Sequence, residues 1–237
     1  MIFLKKKKLN FLKFVPIKFK NQIRLIIIIV DDYSLDNSTN IIKEYQKKDP
    51  RIILILHDVN EGIIKTRSDA IRKAKGKDIT FIDGDDSFIH KDILKNSFYI
   101  AQKANVDVVE FQGYRCTNGK IGIKIKNYPK LGLQRILYQP EIKTIFIFSN
   151  NNYPSDFVNR AIWGKLIKQK LIKKILEDIG IEYTEDFINY AEDTIMVISL
   201  FHLANSYYLM KEVGYLYSFR QKKTIIQKIK NVNPLIK

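Results

Sequence analysis

Short apolar runs alternate with helix-like segments along the first half of the chain, and this alternation constrains the fold more than any other feature. The apolar runs are Leu25 to Val30, Arg51 to Leu56, Asp78 to Ile82 and Val106 to Phe111. Runs this short and continuous are typical of strands covered on both faces. Apolar residues at helical spacing occupy residues 38–48, 63–74 and 91–104. Strands that alternate with such helices predict an α/β fold, with a mostly parallel sheet and flanking helices.

The second half of the chain carries weaker signals. From Tyr114 to about Asn152 the periodicity is weak, which predicts a connecting region with one short helix. Apolar spacing predicts helices from Ala161 to Ile179 and over 192–204, the second one buried because it is apolar almost all round. The stretches Tyr207 to Met210 and Gly214 to Phe219 predict a closing strand or hairpin. We therefore expect a helical C-terminal part.

The net charge of +16 is concentrated at the two ends of the chain. Residues 1–24 carry eight Lys or Arg and residues 220–237 carry six, with no acidic residue in either stretch. We expect a basic N-terminal segment over 1–20, one globular domain over 21–220 and a basic tail over 221–237. The nearly neutral body argues against specific binding of nucleic acid. The basic ends are solvated tails or make peripheral contact with anionic membrane lipids.

Several classes of protein are disfavoured by simple counts. The longest apolar run has six residues, whereas a transmembrane helix needs about 18 to 20. Lysines interrupt Met1 to Pro16, so this stretch is a poor signal peptide. The single cysteine, Cys116, can form neither an internal disulfide nor a cysteine-based metal site. We expect a protein in the cytoplasm or at the periphery of a membrane.

Two acidic clusters follow predicted strands. Asp31 and Asp32 end the first apolar run, and Asp83, Asp85 and Asp86 end the third. In open α/β sheets, ligands bind outside the carboxyl ends of the strands. Crowded carboxylates repel one another unless a cation or hydrogen-bond donors neutralise them, and oxygen ligands suit Mg²⁺ or Mn²⁺. The clusters predict a divalent metal with a polyphosphate, the alternative being solvated residues of two turns.

Five motifs, in order, resemble those of the family 2 glycosyltransferases of the GT-A fold. They are Val30 to Ser38, Asn60-Glu61-Gly62 with Arg67, Gly76 to Asp86, Trp163-Gly164-Lys165-Leu166 and Glu192-Asp193-Thr194. The resemblance covers about residues 21–220. It implies a Rossmann-like nucleotide-diphospho-sugar transferase sheet followed by a helical acceptor-side part. It also implies a metal-dependent inverting glycosyltransferase, which transfers a sugar from a nucleotide-diphosphate sugar to an acceptor hydroxyl. We expect the donor to be a UDP-sugar and the acceptor to be a glycan, a lipid or a protein.

The resemblance also implies roles for individual residues. The residues expected to bind the nucleotide sugar are Asp31, Asp32, Asn60, Arg67 and Asp83. Asp83 and Asp85 form the D-x-D pair that would bind Mn²⁺ or Mg²⁺. Asp193 would be the general base that accepts the proton of the acceptor hydroxyl, with Glu192 beside it.

Each of these assignments has a simpler alternative. Arg67 could simply form an ion pair with Asp69 or Asp85 and have no role in binding. Glu192 and Asp193 could only complement a helix dipole. Trp163 is more often a core residue than a platform for the acceptor, and the three histidines have no spacing that suggests a shared metal.

The chain departs from the family at its N-terminus. Family members begin with an additional central strand that ends in a Pro-x-Tyr-Asn segment, whereas this chain has the basic stretch Met1 to Lys18, with only Phe14 to Ile17 faintly similar. Either the basic stretch supplies a strand, or the chain is a truncated gene model or a decayed copy. The second alternative predicts a catalytically inactive glycosyltransferase-like protein that acts as a binding module.

Overall fold

The computed structural model describes residues 2–4, 25–125, 134–146, 161–180 and 192–219. The elements of the N-terminal half are β1 (Ile2–Leu4), β2 (Ile27–Asp32), α1 (Ser38–Lys48), β3 (Ile52–His57), α2 (Ile63–Lys73), β4 (Asp78–Thr80), β5 (Ser87–Phe88) and α3 (Ile93–Ala104). Those that follow are β6 (Val108–Thr117), β7 (Lys120–Ile125), β8 (Ile136–Tyr138), α4 (Glu141–Phe146), β9 (Lys165–Lys168), α5 (Gln169–Ile179), α6 (Glu192–Leu203) and β10 (Ser206–Phe219).

The described strands form two sheets. The first has the order β1-β2-β3, and both of its pairs are parallel. The second has the order β4-β9-β6-β10-β5, with β7 added to β6 and β8 added to β10. Its β6–β10 pair is parallel and its other pairs are antiparallel. The architecture is therefore of the predicted α/β class, but its described strands form mixed pairings, whereas the sequence predicted a mostly parallel sheet.

Strand β2 is covered on both faces, as its continuous apolar run predicts. Ile28 and Val30 pack into one hydrophobic cluster, and Ile27 and Ile29 pack into another. All four side chains are buried. Successive side chains of a strand point to opposite faces, so an unbroken apolar run fits a strand between two cores.

The predicted helix from Ala161 to Ile179 is wrong in its first part. The chain there forms the turn before β9 and then β9 itself, and helix α5 begins only at Gln169. Leu166 packs into one hydrophobic cluster and Ile167 into the other. Two apolar neighbours fit a helical face and a two-sided strand equally well, which explains the error.

Of the predicted closing strand or hairpin, the structure has the single strand. β10 runs from Ser206 to Phe219 parallel to β6, with register shifts between Leu209 and Val213 and between Val213 and Tyr215. Lys211 and Glu212, which lie between the two predicted stretches, fall within this irregularity. In the stretch predicted as a connecting region, the described residues form the end of β6, then β7, β8 and the short helix α4.

Two helix details differ from the sequence prediction. Helix α2 ends at Lys73 with Ala74 as its C-cap, one residue before the predicted end. Helix α6 has the predicted range, but Ile195 and Ile198 on it are exposed, so it is not buried all round. No helix in the described ranges is long and apolar enough to cross a membrane.

The N-terminal residues Ile2–Leu4 form the short strand β1. Ile2–Leu4 pairs in parallel with residues 29–31 of β2. A groove is lined by residues from the start of β2, from β4 and from α3, and its apolar lining includes Leu25, Ile28, Ile79, Leu94, Phe98 and Leu166. The similar stretch Phe14 to Ile17 and the basic tail 221–237 lie outside the described residues, so the domain boundaries stay a prediction.

A buried ion pair joins three strands of the second sheet. The Lys165 ammonium on β9 lies 3.4 Å from the Glu110 carboxylate on β6, and both side chains are fully buried. The Tyr207 hydroxyl on β10 donates to the same carboxylate. Burial lowers the pKa of Lys165, and the charge of Glu110 opposes this shift. Lys165 also donates to the carbonyl of Ala161 at 2.8 Å, so its position is fixed by both contacts.

Candidate active site

The D-x-D pair lies in a tight turn after β4. Asp83 and Asp85 are partly exposed, whereas Gly84 and Asp86 are buried. The Asp86 N–H donates to the Asp83 carbonyl at 3.0 Å and closes the turn. The buried residues Phe81 and Ile82 precede it, so the core anchors the turn at its start. Both carboxylates of the pair are therefore available to a ligand.

Asp86 is held by β10, far away in the sequence. The Tyr215 hydroxyl donates to one oxygen of the Asp86 carboxyl at 2.6 Å, and the Ser218 N–H donates to the other at 2.7 Å. Burial, followed by the charge of Asp83, raises the pKa of Asp86 to about 8. The surroundings of this carboxyl therefore favour its protonated form more than those of an ordinary aspartate do.

Arg67 joins the D-x-D turn to the start of α6. It lies on α2, where its side chain is only 1% exposed. Its guanidinium lies 3.6 Å from the Asp83 carboxylate and forms a closer ion pair with Asp193. Because a guanidinium is planar and carries several donors, it can bind two carboxylates at once. Asp83 and Asp193, separated by more than a hundred residues in sequence, thus both form ion pairs with Arg67.

Asp32 fastens the loop that leads into α2. Its carboxylate accepts the N–H of Glu61 at 2.7 Å and the N–H of Gly62 at 3.0 Å. Its oxygen also lies 2.9 Å from Nδ1 of His57. Gly62 has a φ of 86°, a conformation that favours glycine, and α2 begins directly after it. Asp32 therefore orients the helix that carries Arg67.

The other predicted binding residues on this edge have different surroundings. Asp31 is buried, and its carboxylate accepts the Ser34 N–H at 3.0 Å and the Thr39 hydroxyl. These bonds tie the end of β2 to α1. Asn60 lies in the loop before α2 and is exposed. Direct contact of these two residues with a nucleotide stays a prediction.

The C-terminal candidates lie at the start of α6 and next to β9. Glu192 is the first residue of α6, and Asp193 follows it with a side chain that is 24% exposed. Trp163 is 5% exposed and stacks on Tyr215, with ring centroids 4.5 Å apart. It is thus a core residue, as the simpler alternative had it.

The structure therefore brings Arg67, Asp83 and Asp193 together, with Asp85 in the same turn as Asp83. Sequence reasoning missed His57 and Tyr215. His57 could have been found, because it ends β3 at the position paired with Asp32, which ends β2. No sequence signal distinguished Tyr215 from the other aromatic residues of β10.

Divalent metal chemistry fits the D-x-D turn. Asp83 and Asp85 offer oxygen ligands only, which is the type that Mg²⁺ and Mn²⁺ prefer. The charges of both residues contribute to the raised pKa of Asp86, so a cation would relieve repulsion here. By contrast, the three close side chains of His57, Glu61 and Asp69 are already neutralised by other contacts.

That second cluster is held together by protein charges. Nε2 of His57 lies 3.2 Å from the Asp69 carboxylate. Lys65 and Arg72 bind the same carboxylate at 3.0 and 3.1 Å. The charge of Asp69 is thus already compensated by two cations of α2.

Comparison with known proteins gives consistent matches. The family model described as "Glycosyl transferase family 2" matches residues 18–163. The chain is 27% identical over 193 residues to glycosyltransferase EpsJ of Bacillus subtilis, covering 81% of this chain and 52% of the relative. It is 30% identical over 200 residues to a poly(ribitol-phosphate) beta-glucosyltransferase of Bacillus spizizenii, covering 79% and 28%. The chain thus spans about half or less of the length of these relatives.

Solved structures share its fold. TarS of Staphylococcus aureus (residues 1–349) in complex with UDP-GlcNAc superimposes with a TM-score of 0.70 at 19% identity, over 93% of this chain and 58% of that one. The mannosyltransferase PcManGT of Pyrobaculum calidifontis, in complex with GDP-Man and Mn²⁺, gives a TM-score of 0.63 at 13% identity, over 97% and 59%. The predicted GT-A fold is confirmed.

Proposed function

The chain belongs to glycosyl transferase family 2, and we propose that it transfers a sugar, with inversion, from a nucleotide-diphosphate sugar to an acceptor hydroxyl. Structural neighbours that bind UDP-GlcNAc, UDP and GDP-Man support a nucleotide-sugar donor, and a UDP-sugar is our first choice. The observation that carries the proposal is the position of Arg67 between Asp83 and Asp193. Arg67 joins Asp83, which we expect to face the donor, to Asp193, which we expect to face the acceptor.

Asp83 and Asp85 would hold Mn²⁺ or Mg²⁺. A neighbour that binds Mn²⁺ together with GDP-Man supports this cofactor. When bound, the ion neutralises the diphosphate and, as a Lewis acid, stabilises its departure. Both carboxyl oxygens of Asp86 already accept hydrogen bonds from Tyr215 and Ser218, so Asp86 contributes to the shape of the turn.

Asp193 would accept the proton of the acceptor hydroxyl. As the bond from this oxygen to the sugar carbon forms, the bond from that carbon to the diphosphate oxygen breaks, and the proton passes to the carboxylate. A carboxylate is a weak base at neutral pH, but the hydroxyl becomes acidic as it bonds to carbon, so proton transfer can be late. Arg67 orients the carboxylate for this step.

Metal-dependent binding of UDP tests the donor side of this proposal. We expect UDP to bind more tightly with Mn²⁺ than with a chelator, and Asp85→Ala to remove most of the difference. The reason is that an anionic diphosphate needs a cation next to these carboxylates. Titration calorimetry with MnCl₂ and with EDTA measures it. Asp92→Ala, which removes an exposed carboxylate shortly after the turn, is the matched control.

Two results would contradict the proposal. Equal affinity of the parent for UDP with and without Mn²⁺ would exclude the metal site. Normal UDP binding without transfer from UDP-GlcNAc or another UDP-sugar to any glycan, lipid or protein acceptor would favour the inactive binding module instead.

A further inference from the structure

The D-x-D turn is held from a strand that the sequence motifs do not include. The Tyr215 hydroxyl on β10 accepts the N–H of Asp83 at 3.2 Å and donates to the Asp86 carboxyl at 2.6 Å. The same oxygen therefore binds the first and the last residue of the turn. Asp85, which is partly exposed, lies between these two anchors.

The ring of Tyr215 has little freedom to move. It is fully buried and stacks on Trp163 at a centroid distance of 4.5 Å and an interplanar angle of 7°. Phe88 contacts it edge-on, with centroids 6.1 Å apart. A Cβ atom at Gly113 would lie 3.1 Å from the Trp163 ring, so glycine at this place in β6 leaves the room that the stack needs.

The backbone of β10 is anchored at the same point. Tyr215 and Leu216 pair with Phe88 and Ser87 of β5, which directly follows the turn. The Ser218 N–H adds a third bond, to Asp86. The sheet therefore fixes the position of the Tyr215 hydroxyl, and the hydroxyl in turn fixes the position of the D-x-D turn.

We propose that Tyr215 is a positioning residue for the metal-binding turn, which it holds, through its hydroxyl, in the conformation that presents Asp83 and Asp85 to a cation and a nucleoside diphosphate. This inference rests on the proposed function. Holding a site in its binding conformation raises affinity, because the ligand does not have to select that conformation from several. A tyrosine more than a hundred residues from the motif thus contributes to donor binding without touching the donor.

Tyr215→Phe tests the role of the hydroxyl, because it keeps the stacked ring and removes only the oxygen. We expect Mn²⁺-dependent affinity for UDP to fall by about tenfold or more, while affinity for UDP in EDTA stays the same. Calorimetry measures both, and thermal unfolding locates a temperature at which each variant is folded. A role confined to stability would lower the melting temperature and leave the affinity of the folded protein unchanged.

Tyr207→Phe is the matched control. Tyr207 is also fully buried on β10, and its hydroxyl donates to Glu110 and not to the turn. We expect this variant to lose stability and to keep the affinity of the parent for Mn²⁺ and UDP. If Tyr215→Phe does not fold, Trp163→Phe loosens the stack and keeps the hydroxyl, and a smaller loss of the same affinity is expected.

The outcomes separate this inference from the proposed function. A parent with Mn²⁺-dependent UDP binding and a folded Tyr215→Phe variant of equal affinity would overturn the positioning role alone. An equal loss of affinity in Tyr207→Phe would overturn it as well, since the effect would then come from stability. A parent without any Mn²⁺ dependence would overturn both the inference and the metal site on which it rests.

Discussion

Arg67 is a buried cation whose charge is compensated by two carboxylates from different parts of the chain. Removal of a guanidinium from water is costly unless paired carboxylates and hydrogen bonds replace the lost hydration. Asp83 and Asp193 provide the ion pairs seen here. A lysine would bring a single point of charge and could not serve both partners with the same geometry. Arg67 therefore has a structural role in addition to its predicted role in binding the nucleotide sugar.

At the residue scale we predict that Asp193→Asn separates catalysis from donor binding. Sugar transfer should fall by about 10²-fold or more, the usual effect of removing a general base, while Mn²⁺-dependent UDP affinity stays within a few-fold of the parent. Because Arg67 loses one anionic partner, the free energy of unfolding should also fall, by about 1 to 3 kcal/mol. Transfer assays, calorimetry and denaturant unfolding measure the three effects.

Asp178→Asn is the control for this substitution, since it removes an exposed carboxylate near the end of α5. It should change none of the three quantities. An Asp193→Asn variant that transfers sugar at the parental rate would assign Asp193 to the helix start only, and the base would have to lie elsewhere.

Among the elements, the turn into β9 shows why a motif glycine is required. Gly164 has a φ of 72°, and a Cβ atom there would lie 3.0 Å from the carbonyl oxygen of Phe111. The Gly164 carbonyl in turn accepts the Phe111 N–H at 2.8 Å, so the two backbones cannot easily separate. This contact places Trp163 on one side of the turn and Lys165 on the other.

At the element scale we predict that Gly164→Ala destabilises the protein more than Gly119→Ala. Both glycines have a positive φ, which costs alanine about 1 kcal/mol, but a Cβ atom at Gly119 meets nothing within 4 Å. The difference between the variants isolates the crowding at Phe111. Urea unfolding measures it, and equal losses in the two variants would contradict the close approach.

Local patterns predicted the N-terminal elements well, because their signals are short-range. Helix α1 has the predicted range, and β2, β3 and α3 differ from theirs by only a few residues. The errors lie where distant pairing decides. The sequence pattern of β9 also fits a helix, and only its pairing with β4 and β6 makes it a strand. β10 is a single strand because it pairs with β6 on both sides of the register shifts.

The candidate site divides in the same way. Family motifs singled out Arg67, Asp83 and Asp193, but only Asp83 follows a predicted strand, so the pairing of Arg67 with Asp83 and Asp193 was not predicted from the sequence. The raised pKa of Asp86 and the role of Tyr215 could not be predicted either, because both arise from burial and from contacts across about 130 residues of sequence. Burial of a single polar group leaves no pattern in a sequence.

On the scale of the whole molecule, Asp86 links stability to pH. Its pKa is about 8 in the folded protein and near 4 in an unfolded chain, so the folded protein keeps a proton that the unfolded chain releases. The stabilisation is complete below about pH 4 and is lost as the pH rises through about 8. Burial and the charges of Asp83 and Asp85 raise the pKa of Asp86, and this raised pKa favours the folded state at acidic pH.

We predict that the metal-free parent loses free energy of unfolding between about pH 5 and pH 8, by up to about 1.4 kcal/mol per pH unit from this group. Asp86→Asn mimics the neutral carboxyl and should flatten that part of the pH profile. Unfolding in EDTA over a series of buffers measures both proteins. Parallel profiles for the parent and the variant would show that Asp86 does not titrate in this range.

Asp32 already accepts hydrogen bonds from Glu61, Gly62 and His57. An ionised carboxylate has about four lone-pair positions, so about one is left. A substitution that removes these carboxylate oxygens would therefore also release the loop that leads into α2, the helix that carries Arg67.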